Sequence, residues 1–254
     1  MIFDTHAHYD DEAFDADREE LLRGMTSAGV EYIVNVGASM ASSKRSIELA
    51  EKYPFVYAAV GVHPDEVGEL DEARFETLRT WTGEPKVKAV GEIGLDYYWD
   101  KEKHELQKHW FLRQMELAAE KRLPIIVHSR EAAKDTLDLM KAAKPLSLSG
   151  VIHCYSYSME QAKEYLDMGY YLGIGGVLTF KNAKKLKEVA TYAPLSSLVL
   201  ETDCPYLAPV PYRGKRNDSS LIRYVAEELA AIKGMDPEEV LRITNENGRK
   251  LYGI

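Results

Sequence analysis

The chain has 254 residues, 45% of them hydrophobic, and a net charge of −9. That is enough apolar material for one large core, and the acidic balance excludes broad coating of nucleic acid while leaving a locally held phosphate open. No run of about 18 apolar residues is present to cross a membrane. The acidic start MIFDTHAHYDD does not read as a signal peptide, and Cys154 and Cys204 make no disulfide framework, so the expected compartment is the cytoplasm.

Short apolar runs at 2–5, 32–38, 56–63, 87–95, 125–129, 150–155, 170–175 and 198–203 read as strands. Helical spacing falls between them, as with Leu106, Trp110, Met115 and Leu117 in 102–121, or Ala162, Tyr165 and Leu166 in 159–168. Strands that alternate with helices pair in parallel. Eight such units in about 250 residues predict a single domain over 1–254, a (β/α)8 TIM-type barrel. A doubly wound open sheet is the runner-up. The tail, 218–252, reads as extra C-terminal helices. Ser219 or Ser220 is the candidate cap of the first, and Asp236-Pro237-Glu238-Glu239 opens the second.

Polar residues gather where the predicted strands end. In chain order these are Asp4-Thr5-His6-Ala7-His8, Gly61-Val62-His63-Pro64, Gly91-Glu92-Ile93-Gly94-Leu95-Asp96, Val127-His128-Ser129-Arg130, Ile152-His153-Cys154-Tyr155 and Glu201-Thr202-Asp203-Cys204-Pro205. In a parallel barrel those ends share the rim where active sites lie. Five of the seven histidines fall there; His104 and His109 sit in a helical stretch and read as surface.

His6 and His8, two apart on an extended segment, point the same way and can grip one ion. His128 and His153 each follow a β-branched run, which suggests a second metal position more economically than two core histidines. Glu92 and Asp203 follow buried apolar runs, where an unpaired carboxylate costs several kcal/mol, so something cationic should face them. A salt bridge is the plainer alternative. Glu201 shares the face of Asp203, either to orient a ligand or to form a structural ion pair. Imidazole with carboxylate suits Zn, Mn, Fe or Ni and admits Mg.

The Pro-rich loop after Asp203 carries Arg213, Lys215 and Arg216, three cations in an acidic protein. Together with His63 they could hold an anion; a solvated charge run is the alternative. Tyr97, Tyr98, Trp99 and Tyr155 are rim aromatics able to stack on bases or simply to pack.

These motifs, in this order and over nearly the whole chain, resemble the TatD family of metal-dependent deoxyribonucleases, among the amidohydrolase-like barrels. The resemblance runs on through Arg213-Gly214-Lys215-Arg216-Asn217. It implies one ion held by His6, His8, Glu92 and Asp203 and another by Glu92, His128 and His153, with Glu92 shared. It places His63 and the basic loop at the substrate phosphate. Two positions depart from the family pattern: Tyr157 stands where a small Gly is usual, and Asp218-Ser219-Ser220 replaces an acid and a proline. Both touch substrate loops rather than ligands.

The resulting expectation is a metal-dependent hydrolase with two divalent ions, Mg, Mn or Zn, acting as a 3′–5′ exonuclease on single-stranded DNA or a similar phosphodiester. Asp203, Glu92 and His63 would carry the chemistry, and Arg213, Lys215 and Arg216 would position the strand. No membrane or obligate protein partner is expected. Two other readings stay open: an amide or ester hydrolase such as an acyl-tRNA deacylase, and a non-catalytic metal-binding barrel.

Overall fold

A computed structural model describes residues 1–99 and 102–254. Its strands are β1 (Ile2–Ala7), β2 (Val30–Val36), β3 (Val56–Val60), β4 (Val87–Asp96), β5 (Ile125–Arg130), β6 (Gly150–Ile152), β7 (Tyr171–Ile174) and β8 (Leu198–Leu200). Between and after them run α1 (Arg18–Met25), α2 (Met40–Lys52), α3 (Glu72–Trp81), α4 (His104–Lys121), α5 (Ala133–Ala142), α6 (Met159–Asp167), α7 (Lys184–Tyr192), α8 (Ile222–Lys233) and α9 (Pro237–Tyr252). The sheet order follows the chain from β1 to β8 without reversal. This is the connectivity of a (β/α)8 barrel; a doubly wound sheet would reverse at a switch point. The described residues form two compact units, Met1–Asn35 with Cys154–Ile254, and Val36–His153.

In the first unit β1 and β8 are buried along their whole length, as strands covered on both faces must be. Phe3 pairs in register with Tyr32, and Leu172 with Leu198. A parallel bridge from Ala7 to Cys204 brings the end of β1 beside the segment that follows β8. Helix α9 is the extra C-terminal element. It opens as expected, with Asp236 accepting from the Glu238 amide and Pro237 in the first turn, and closes at left-handed Gly253. Asn247 Nδ2 donates to the carbonyls of Leu195 and Leu198 at 2.8 and 2.7 Å, and the Tyr252 hydroxyl donates to Thr5 O at 2.9 Å. Those bonds fasten α9 to the strands that carry the first cluster described below. The cap before α8 differs from expectation. Asp218, not a serine, accepts from the Ser220 amide, because the Ser219 hydroxyl is committed to Asp4.

In the second unit β4 and β5 are in register from Ile93–Val127 to Asp96–Arg130. Ala59, Val90 and Ile126 lie buried with Phe75, Trp110, Phe111 and Met115 of α3 and α4. Two buried glutamines of α4, seven residues apart and so on one face, finish the strand ends. Gln114 accepts from Val62 N (2.8 Å) and donates to Val62 O (3.1 Å). Gln107 does the same for Asp96, at 2.9 Å each way. Each side-chain amide thereby satisfies a backbone pair that the ladder leaves open.

Candidate metal centres

In the first unit the alternation of a strand puts His6 and His8 on one side of β1. Their Nε2 atoms stand 3.0 Å apart, with Asp203 Oδ1 3.8 Å from His6 Nε2 and 3.4 Å from His8 Nε2. Asp203 comes from the turn after β8, and two backbone bonds tie that turn to β1. Asp203 N donates to His6 O and His8 N to Cys204 O, both at 2.9 Å. Asp203 adopts a left-handed φ of 58°, which swings its carboxylate out of strand alternation.

Asp4 lies fully buried below this cluster. It accepts from Thr202 N (3.0 Å), Thr202 Oγ1 (2.6 Å), Ser219 Oγ (2.6 Å) and His6 N (3.3 Å). Burial pushes its carboxyl up to about 7, against the pull of those donors. Asn217 Nδ2 donates to Thr202 O and Tyr206 O, at 3.0 and 2.8 Å, and so holds the turn that carries Asp203. The Glu201 carboxylate accepts from the Cys154 amide at 2.6 Å. It fits beside β7 only because residue 173 is glycine: a Cβ there would overlap it.

In the second unit Glu92 is the hub. Its Oε1 lies 2.7 Å from His128 Nδ1, 3.7 Å from His153 Nε2 and 3.9 Å from His63 Nε2. The other nitrogen of His128, Nε2, lies 3.1 Å from Asp96 Oδ2. Burial opposes a proton on His128, but Asp96 and Glu92 outweigh it and lift the imidazole to about 10. Burial also works to raise Asp96; the His128 bond and the Trp99 and Tyr98 amides overcome it and hold the carboxyl low. β4 and β5 come close enough for this at Gly94, where a Cβ would overlap the His128 carbonyl. His63 Nδ1 accepts from the Asp65 amide at 3.2 Å, so the neutral ring carries its proton on Nε2, the atom that faces Glu92.

Both clusters fit a divalent cation. Donors around one ion at about 2.1 Å stand roughly 3.0–3.4 Å from each other. The His6, His8 and Asp203 atoms gather within 4.8 Å, and the nitrogens of His128 and His153 stand 2.7 and 3.7 Å from Glu92 Oε1. Two imidazole nitrogens 3.0 Å apart also cannot meet lone pair to lone pair, so a proton or a cation belongs between them.

The basic loop is divided in its contacts. Arg216 forks onto Asp17 at 2.8 and 2.6 Å and donates to Ala13 O, fastening the loop. Arg213 lies 4.4 Å over the Phe180 ring. Lys215 is exposed and has no ion pair among the described residues. A groove of about 780 Å³ is lined by Lys215, Arg216, Pro205, Tyr206 and the acids Asp11, Glu12 and Asp15. Two of those acids are engaged: Asp11 accepts from the Tyr206 hydroxyl and Asp15 pairs with Arg18. Of the four aromatic candidates, Tyr155 is buried and donates to Ser158 O, and Tyr97 stacks on His104. Tyr98 and Trp99 remain exposed. Tyr157 packs edge-on against Tyr155.

The sequence motifs contain Asp4, Thr202 and Asp96 without assigning them a role, Ser219 reads there only as a candidate cap, and Gln107 and Gln114 carry no expectation. The available signal was polarity inside otherwise apolar spacing: Asp4 in β1, and two glutamines a heptad apart on the buried face of α4.

Comparison with known proteins agrees with these features. The family model described as "TatD related DNase" matches residues 3–253. The metal-dependent hydrolase YabD of Bacillus subtilis (strain 168) is 44% identical over 254 residues, covering all of both chains. YcfH of Escherichia coli (strain K12), also named a metal-dependent hydrolase, is 36% identical over 257 residues, spanning 100% of this chain and 96% of its own. The crystal structure of YjjV, a TatD homologue from Escherichia coli K12, superposes with a TM-score of 0.93 at 31% identity, covering 100% of this chain and 98% of that one. With its motifs, fold and donor clusters all in place, the chain belongs to the TatD family of metal-dependent hydrolases.

Proposed function

We propose that this single-domain chain, 1–254, hydrolyses phosphodiesters as a deoxyribonuclease that shortens single strands from the 3′ end. The observation that carries the reading is Lys215. It is a cation with no ion pair among the described residues, in a groove also lined by Pro205 and Tyr206, which follow Asp203 in the chain. A small neutral amide or ester needs no such charge; a phosphate backbone does.

His6, His8 and Asp203 would hold one Mg, Mn or Zn ion, and Glu92, His128 and His153 would hold another. Ions bound there supply Lewis acidity toward a phosphoryl oxygen and make water nucleophilic near neutral pH. Asp203 takes up the proton that water loses. His63, kept as the Nε2–H tautomer by the Asp65 amide, donates to a phosphoryl or leaving oxygen. Lys215 and Arg213 hold the strand through phosphates, which carry no sequence information. Arg216, committed to Asp17, keeps the loop in place for them.

The test is cleavage of 5′-labelled single-stranded DNA by metal-stripped protein, with Mg, Mn or Zn restored in turn and Asp203→Ala protein alongside. A metal-dependent ladder shortening from the 3′ end, absent in the variant, is expected. No cleavage with any metal, from protein that still binds ions and turns over p-nitrophenyl esters or acyl amides, would replace this reading with the amide or ester hydrolase.

A further inference from the structure

Beyond Asp96 the chain leaves two large aromatic side chains in water. Tyr98 is 47% and Trp99 66% exposed, with their rings edge to face at 4.8 Å. The preceding residue behaves differently: Tyr97 stacks on His104 at 3.6 Å and donates to Asp135. The segment therefore has packing available and still presents the next two rings outward. Arg130, at the end of β5, lays its guanidinium across them, 4.0 Å from the Tyr98 ring centre and 5.4 Å from that of Trp99. Among the described residues it meets no carboxylate. A guanidinium stacked by its face keeps its N–H edge free for an anion.

This group is tied to the second cluster by one carboxylate. Asp96 Oδ1 accepts from the amides of Tyr98 (2.8 Å) and Trp99 (3.1 Å), while Oδ2 meets His128 Nε2 at 3.1 Å. Asp96 and Arg130 are register partners, and Tyr97 N donates to Arg130 O at 2.9 Å. The aromatic pair, the arginine and a candidate metal ligand are thus held by the same two strand ends.

We infer that Tyr98, Trp99 and Arg130 form a stacking platform for an unpaired nucleobase of a single-stranded substrate, with the edge of Arg130 on the neighbouring phosphate. The inference rests on the phosphodiesterase reading for its choice of substrate. Every base offers a π-face, so such a platform tolerates sequence. It rejects duplex, whose bases already stack on one another. The platform sets which strands are accepted and does not take part in bond cleavage.

Binding without catalysis tests it. Fluorescein-labelled oligothymidylate, an abasic strand of equal length and a duplex are titrated into the metal-free chain and followed by anisotropy. The wild type should bind the oligothymidylate more tightly than either of the others. Trp99→Ala should weaken oligothymidylate binding about tenfold and leave abasic binding unchanged, with Trp99→Phe restoring most of the loss. Arg130→Ala should weaken both strands. Because the side chains concerned are exposed, the variants should unfold at the wild-type midpoint. Wild-type protein that does not distinguish bases from an abasic strand, or Trp99→Ala protein that binds like wild type, overturns the platform. Base-selective binding without metal-dependent cleavage would instead overturn the catalytic reading and leave the platform standing.

Discussion

Asp96 Oδ2 stands 3.1 Å from His128 Nε2, on the side of the ring opposite the nitrogen that faces Glu92. A carboxylate accepting Nε2–H turns the imidazole and leaves the Nδ1 lone pair for an ion. Asp96→Ala should therefore lower affinity at the Glu92–His128 cluster by about 10- to 100-fold, with the His6–His8 cluster unchanged. Asp96→Asn, whose amide oxygen still accepts from Nε2–H, should recover most of it. Chelator competition measures both, and equal affinities in wild type and Asp96→Ala would refute the role.

A second expectation concerns pH. In the metal-stripped protein, burial holds Asp4 protonated up to about 7, whereas the unfolded carboxyl releases its proton near 3.8. Between those values the folded state binds the extra proton, so stability falls as pH rises. Three units correspond to something on the order of 4 kcal/mol. The urea midpoint should drop between pH 4 and 7, and Asp4→Asn, unable to titrate, should flatten that part of the curve. A variant with the wild-type slope would assign the decline to other groups.

All eight strands were legible in the sequence because parallel strands buried on both faces are plain apolar runs. Their ends were less so. Runs expected to reach 155 and 203 stop at Ile152 and Leu200, since Cys154 and Asp203 take left-handed backbone, with φ of 45° and 58°. Neither residue type announces that conformation. Motif order gave the metal candidates, but not the buried polar groups that aim them. Asp4, Gln107 and Gln114 act through long-range hydrogen bonds that local spacing does not encode. Arg216 and Lys215 look alike in sequence; only the position of Asp17 separates a loop fastener from an available cation.

Gly173 should tolerate no side chain. A Cβ would overlap the Glu201 carboxylate, which accepts from the Cys154 amide next to His153. Gly173→Ala is expected to cost about 1–3 kcal/mol from overpacking, seen as a lower thermal midpoint. Gly169, at a left-handed φ of 86° with open space around it, provides a control. Gly169→Ala should lose stability through backbone strain alone, without affecting metal content. If Gly173→Ala melts like wild type, the fit of Glu201 is not limiting.

Lys215 and Arg216 should respond differently to truncation. Lys215 has no ion pair among the described residues, so Lys215→Ala should raise KM for single-stranded DNA and reduce the slope of log affinity against log salt by about one unit, with stability unchanged. Arg216 forks onto exposed Asp17 at 2.6 and 2.8 Å. Arg216→Ala should lower stability only slightly, since the pair is solvent-exposed, and loosen the loop. Its effect on KM should be matched by Asp17→Ala, which leaves the arginine charge in place. Salt titrations of all three variants on one oligonucleotide separate the cases. A salt slope reduced by Arg216→Ala but not by Lys215→Ala would exchange the two roles, because counterion release follows the cation that touches phosphate and not the one that anchors the loop.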